Sequence, residues 1–215
     1  MRVRIVLGVA LAVVGVAVVV ALSQRAPRLA GTSFVVQRGP VAALPAHGIA
    51  CQPGTYVPDD SAVAQVVVHP SGRGPLALDV TFRDPDGALV ARGAARDVRA
   101  RDGNVTVPLA HVVDGNHANA TACVRNAGGE GFALWGDVAN PGATARVDGR
   151  PTGGVVGFRY LRAGRQSWWS LMPVVAQRFG LGKARVLGTW TLPLLVLVLL
   201  GLWIAAARLL LRGQP

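Results

Sequence analysis

Between Cys51 and Phe158 the chain is punctuated by clusters built from turn-forming residues: SGRG (71–74), DPDG (84–87), RDGN (101–104), DGNH (114–117), AGGEG (127–131) and NPGA (140–143). Glycine supplies left-handed backbone, proline presets φ, and Asn and Asp hydrogen-bond their own main chain. The clusters recur every 13–17 residues, a rhythm that suggests an all-β sandwich or barrel. The intervening segments agree. In LALDVTF, Leu76, Leu78, Val80 and Phe82 alternate with Ala77, Asp79 and Thr81, giving one buried and one wetter face. In NVTVPLA, Val105, Val107 and Leu109 do the same, and Pro108 marks that strand as an edge. SAVAQVVVHP, GALVARG, NATACVRN and GFALWGD add four more strands and no helix. The expected sandwich domain, Ig-like or jelly-roll, spans 51–158, preceded by a linker at 23–50.

The net charge of +11 resembles a nucleic-acid signature, but its placement argues otherwise. All eleven acids lie between Asp59 and Asp148, with only eight arginines, so that block is net −3. The other fourteen basic residues flank it. A nucleic-acid binder concentrates positive charge on its folded domain, so nucleic acid is not an expected partner. With 21 of 22 basic residues arginine and much Ala, Val and Gly, the composition fits a GC-rich bacterial genome.

Two uncharged runs bound the chain. IVLGVALAVVGVAVVVAL, Ile5–Leu22, follows the basic MRVR; it reads as an uncleaved signal anchor at 1–22, because a cleaved h-region is usually shorter and ends at a small-x-small site. VLGTWTLPLLVLVLLGLWIAAA, 186–207, reads as a second transmembrane helix before a tail at 208–215, with Trp190 and Trp203 toward its two ends. Gly8, Ala12 and Gly15 share a face of the first run, and Gly201 and Ala205 share one of the second, as small-residue helix-packing patterns do. The flanking arginines slightly favour a cytoplasmic loop, but long loops translocate largely regardless of charge. Cys51 and Cys123 push the other way. An isolated pair in a β-rich domain suggests a disulfide in an oxidising compartment, closing a loop of about 70 residues for roughly 4 kcal/mol on the entropic view; the alternative is two buried thiols. The expected localisation is therefore the cytoplasmic membrane, two-pass, termini inside and the central domain outside.

The segment 159–185 is basic. Within SWWSLMPVVAQRF, Trp168, Met172, Val175 and Phe179 fall on one helical stripe beside Leu171, while Ser170 and Gln177 point away. A start at Ser170 would place Pro173 in the first turn. The expectation is a juxtamembrane amphipathic helix whose Trp168, Trp169, Met172 and Phe179 sit at the membrane interface, bracketed by Arg159, Arg162, Arg165, Lys183 and Arg185 as contacts for lipid head groups or phosphate. The alternative is a helix packed on the sandwich. CQPGTYVP (51–58), ACVRN (122–126) and the SWWSL…RFGLGKA run resemble a set of membrane-anchored β-sandwich proteins from high-GC bacteria. That resemblance implies the architecture and attaches no activity.

No catalytic motif emerges. HVVDGNH offers His111, Asp114 and His117 to a metal, but no cysteine pair or H-E-x-x-H helix completes a zinc set. DPDG lacks the further acids of an EF-hand loop and reads as a type I turn. FGLGKAR has Gln177 and Ala184 where a phosphate loop needs Gly and Ser or Thr. No catalytic residue, metal ligand or cofactor is assigned. Trp135 is either an exposed ligand platform or a core plug. The functional expectation is a membrane-anchored, extracytoplasmic accessory or binding module of the bacterial cell envelope. It would present its sandwich to a glycan, a lipid-linked precursor or a partner membrane protein, with membrane lipids alongside. The alternatives are an enzyme at the membrane boundary using Arg159, Arg162 and Arg165 on a phosphate-bearing lipid or glycan, and a sensor or subunit of a membrane complex.

Overall fold

The computed structural model describes residues 2–99, 103–138, 144–176, 194, 197–201, 203–205 and 208. Pro27–Gly164 forms one compact unit, and Met1–Ala26 with Arg165–Pro215 a second.

The first unit is built from β1 (Leu29–Thr32), β2 (Gly39–Leu44), β3 (Ile49–Val57), β4 (Val63–Pro70), β5 (Leu76–Arg83), β6 (Leu89–Val98), β7 (Asn104–Pro108), β8 (His117–Asn126), β9 (Phe132–Asp137), β10 (Arg146–Val147), β11 (Arg150–Pro151), β12 (Val155–Val156) and β13 (Phe158–Leu161). They make two sheets. One runs β1-β13-β4-β9-β12, with β2 added on β9 and β7 on β4; the other runs β11-β10-β3-β8-β5-β6. The alternation read from the sequence sets which way each strand faces. Leu76, Leu78, Val80 and Phe82 of β5 are buried, as are Val105 and Val107 of β7. β7 is an edge strand, as Pro108 requires, since its ring has no N–H for a second neighbour. The core lies between the sheets. Phe82 meets Phe158 edge-on at 5.6 Å and Tyr160 at 5.7 Å.

The turns follow their chemistry. In DPDG the Gly87 N–H donates to the Asp84 carbonyl at 2.8 Å, with Gly87 at φ 87°. Buried Asn126 closes the AGGEG turn: its amide donates to the Pro45 and Glu130 carbonyls, both at 2.8 Å, and its Oδ1 accepts the Gly128 N–H at 2.9 Å. Every hydrogen-bonding direction this buried amide needs most is used, as burial of an amide demands.

The sandwich is larger than 51–158. β1 and β2 lie in the stretch expected to be a linker, and β13 runs past 158 into the segment read as juxtamembrane. Cys51 and Cys123 are bonded, at S–S 2.09 Å. They sit directly opposite each other on the adjacent strands β3 and β8, so the bridge staples two neighbours.

The second unit contains α1 (Arg2–Ser23) and α2 (Trp168–Ala176). Its chain ends are tied by paired bonds between Ala26 and Gln166, at 3.2 and 3.0 Å. Among the described residues no helix is long and apolar enough to cross a membrane. α1 is 22 residues long, and its uncharged stretch runs from Ile5 to Leu22. Of 186–207, Leu194, 197–201 and 203–205 are described and are helical; the other residues of that run lie outside the described residues. The two-pass fold class and the cytoplasmic-membrane localisation are corrected accordingly. α2 also differs from expectation. Ser167 caps it, its Oγ accepting the Ser170 N–H at 3.3 Å, so Pro173 falls in the helix interior. Leu171 is its buried side chain, while Trp168 and Trp169 are each 44% exposed.

Candidate functional site

The outer face of the six-stranded sheet is built by strand register. Arg146 of β10 pairs with Cys51 of β3, Cys51 with Cys123 of β8, Cys123 with Thr81 of β5, and Thr81 with Arg92 of β6. The adjacent row runs Ile49, Arg125, Asp79 and Ala94. Partners in a ladder share a face, so these side chains all point away from the core. Arg83 and Arg96 occupy outward positions on the flanking parts of β5 and β6. Five of the eight arginines in the acidic block thus gather on one sheet face.

Their engagements differ. Arg96 pairs with Asp79 and donates to the Leu78 carbonyl at 3.0 Å; Arg83 donates to the Gly87 carbonyl at 2.9 Å. Arg92, Arg125 and Arg146 are exposed and have no ion-pair or side-chain hydrogen-bond partner among the described residues. Asp79 is the carboxylate within these two rows, and Arg96 already holds it. Arg146 and Arg92 stand four strand spacings apart, about 19 Å, with Arg125 between them. The disulfide lies in the middle of the row, half-buried.

At the β6 edge this face ends in an open cleft of about 580 Å³, lined by Asp79, Thr81, Arg92, Ala94, Pro108 and Leu109 among others. Gly93 makes the cleft wall possible. It bridges to Leu109, and a Cβ on it would fall 2.3 Å from the Pro108 carbonyl oxygen. The Ala110 N–H donates to the Arg92 carbonyl at 2.8 Å, fixing the backbone beneath the arginine. The chemistry on offer is a hydroxyl, a free guanidinium and an apolar wall. A guanidinium presents a planar donor fork that suits carboxylate, sulfate and phosphate.

The residues singled out from the sequence lie elsewhere. Arg159 is exposed on β13, on the other sheet. Arg162 is buried, 6% exposed, and ion-paired to Asp60. Arg165 donates to the Arg25 carbonyl at 3.0 and 3.2 Å. Arg162 and Arg165 are therefore committed within the fold, and the phosphate clamp expected of 159, 162 and 165 has no free guanidinium at two of its three positions. Trp135 points outward from β9 and is half-buried, between platform and plug. Met172 is half-buried on α2, and Trp203 is 48% exposed. Phe179, Lys183, Arg185 and Trp190 lie outside the described residues. At Gly8, Gly15 and Gly201 an added methyl would meet nothing within 4 Å; Ala12 and Ala205 are exposed.

His111 faces the Val90 carbonyl through Nε2 at 2.9 Å, while His117 faces Asp84 through Nδ1 at 2.9 Å and the Asp114 carbonyl through Nε2 at 3.0 Å. These are fasteners between turns. Among the described residues no group of three His, Cys, Asp or Glu side chains is placed to hold a metal. The sequence reading missed Arg92, Arg125 and Arg146 because it weighed the block's net charge. The available signal was parity: Arg125 shares a face with Cys123, and Arg92 with Ala94.

No family model matches the chain, and no curated protein matches it. Among solved structures, it is similar to CsCBM6-3 of Clostridium stercorarium, solved in complex with cellobiose, at 12% identity over 53% of this chain and 91% of that one, with a TM-score of 0.25. It is also similar to infectious bursal disease virus, Gx strain, at 14% identity over 66% of this chain and 37% of that one, with a TM-score of 0.24. Likenesses this loose carry no argument about the chain.

Proposed function

We propose that the sandwich is a non-catalytic binding module whose ligand is an acidic glycan, a polysaccharide bearing carboxylate, sulfate or phosphate groups, laid across the outer face of the six-stranded sheet. The observation that carries the reading is the unneutralised triad Arg92, Arg125 and Arg146, spread over about 19 Å of one rigid face. An extended anion repeats its charge along its length and meets such a row at several points at once, so weak contacts add. The cleft beside Arg92 seats one unit of the polymer against Thr81 and Leu109. A single-stranded nucleic acid is disfavoured because the two rows, with their Thr, Ala, Ile and disulfide, offer no aromatic ring for bases to stack on.

The test is titration of the full chain with a polyuronate, a sulfated polysaccharide, an uncharged glucan and single-stranded DNA at two salt concentrations. The expected result is binding of one or both acidic polysaccharides, weakening as salt rises, with none of the glucan at this face. Equal binding of DNA and acidic polysaccharide would reduce the face to a nonspecific cation surface. No binding of either acidic polysaccharide at low salt would remove the proposal.

A further inference from the structure

A second feature of the sandwich lies away from the arginine rows. Phe34 follows β1 and is 80% exposed, yet its backbone sits at φ 61°. A bulky residue in the left-handed region is a true outlier, and neighbouring structure must over-determine it. Here it does. Ser33 is hooked to Phe158 through its N–H at 3.0 Å and through its Oγ, which accepts the Phe158 N–H at 2.9 Å. Thr32 Oγ1 accepts the Phe34 N–H at 3.2 Å, and the Gln37 amide donates to the Gly157 carbonyl at 3.1 Å. The chain is pinned on both sides of a ring that is turned to solvent.

That ring has a fixed neighbour. Tyr56 of β3 lies with its centroid 5.4 Å from that of Phe34, the planes at 39°. The Tyr56 hydroxyl donates to Asn116 Oδ1 at 2.6 Å, and the same oxygen accepts the Asp59 N–H at 3.1 Å. Asn116 Oδ1 is saturated, and its amide N–H pair has no partner among the described residues. Asp59 anchors the turn through Oδ1, which accepts the Asp60 and Gly115 N–H groups, each at 2.9 Å. Two rings, an amide donor and a carboxylate acceptor therefore stand together with their orientations locked.

We infer that Phe34, Tyr56, Asn116 and Asp59 form a second site, for an uncharged pyranose unit. A pyranose offers an apolar face of C–H groups to stack on aromatic rings and a rim of hydroxyls that both donate and accept. The amide and carboxylate match that rim. Asp59 and the neighbouring Asp114 repel an anionic sugar, so this site and the arginine face select opposite chemistry. A protein partner would want a broader dry patch, whereas here polar groups stand directly at the ring edge. The site stands on its own observations and does not depend on the acidic-glycan reading.

The test is NMR titration of the full chain with neutral oligosaccharides (gluco-, xylo-, manno- and galacto-configured hexamers), following the Phe34 and Tyr56 ring resonances. The expected result is saturable shifts with at least one of them. Affinity should fall about 10-fold or more in Phe34→Ala, equivalent to ~1.4 kcal/mol, and in Asn116→Ala, and stay unchanged in the Arg92→Ala/Arg125→Ala/Arg146→Ala variant. Phe34 is exposed, so its replacement leaves the core intact. A fall of the same size in the arginine variant would merge the two sites and overturn the inference. So would Tyr56 shifts that saturate with unchanged affinity in Phe34→Ala, silence with every hexamer, or ring shifts that follow protein concentration alone and mark self-association.

Discussion

Tyr160 shows how a single atom sets a stability term. Its ring completes the aromatic cluster between the sheets, yet its hydroxyl is buried without a hydrogen-bond partner among the described residues. Burial pushes its pKa well above the usual 10, because the phenolate would lose its hydration. The unfolded chain releases this proton near pH 10, while the folded chain retains it. The contribution is therefore fully present below pH ~10 and is lost as pH rises from there toward the folded value. Tyr160→Phe should leave the fold intact, raise stability at pH 7 by about 1 kcal/mol in urea unfolding, and flatten the alkaline decline. At Phe34 the sign is set by backbone. Phe34→Gly should raise stability by about 1 kcal/mol, because glycine adopts φ 61° freely and no buried contact is lost. A loss of stability on the same measurement would mean that the ring contributes packing its exposure does not suggest.

At the scale of elements, the joints between strands decide which changes are tolerated. Asp60 and Arg162 tie the turn after β3 to the end of β13. Removing the carboxylate leaves a buried guanidinium unpaired, so Asp60→Ala should cost about 2 kcal/mol, discounted because Asp60 itself is half exposed. Gly93→Ala should cost about 2–3 kcal/mol and distort the cleft, since its methyl would press on the Pro108 carbonyl. Thermal unfolding of Gly93→Ala beside Gly39→Ala in β2, where space is open and φ is not left-handed, separates crowding at the β6–β7 seam from the general cost of replacing a strand glycine.

These elements were legible to different depths. β5 and β7 were readable because an apolar face alternates with a wetter one, and β4, β6, β8 and β9 because turn clusters bound them. β1 and β2 were not, because four and six residues rich in Gly and Ala show no period, and β10 to β12 are two residues each, too short to have one. The sequence left the start of α2 open, with Ser170 as one cap; the Ser170 N–H donated to Ser167 Oγ makes Ser167 the cap instead. The uncharged runs at the two ends read as spans from their hydropathy and their basic and tryptophan flanks; among the described residues no helix is long and apolar enough to cross a membrane, which corrects that reading.

For the whole molecule, charge is the property that sequence totals concealed. The block from Asp59 to Asp148 is net −3, yet register concentrates five of its arginines on one face, where Asp79, held by Arg96, is the carboxylate of the two central rows. Asp84 is held by His117, Asp60 by Arg162, and Glu130 accepts the Gly74 N–H at 3.2 Å. These acids serve the joints, while Arg92, Arg125 and Arg146 have no partner among the described residues. That division is the central claim, because guanidinium groups with no partner on a rigid sheet are the part of the molecule left to meet a ligand. The most direct measurement is the affinity of the full chain for an acidic polysaccharide, compared with the Arg92→Ala/Arg125→Ala/Arg146→Ala variant at low and high salt. The expected loss is about 30-fold at low salt, from three exposed contacts of about 0.7 kcal/mol each, shrinking as salt rises. A variant that folds and binds as tightly as the original chain would contradict it.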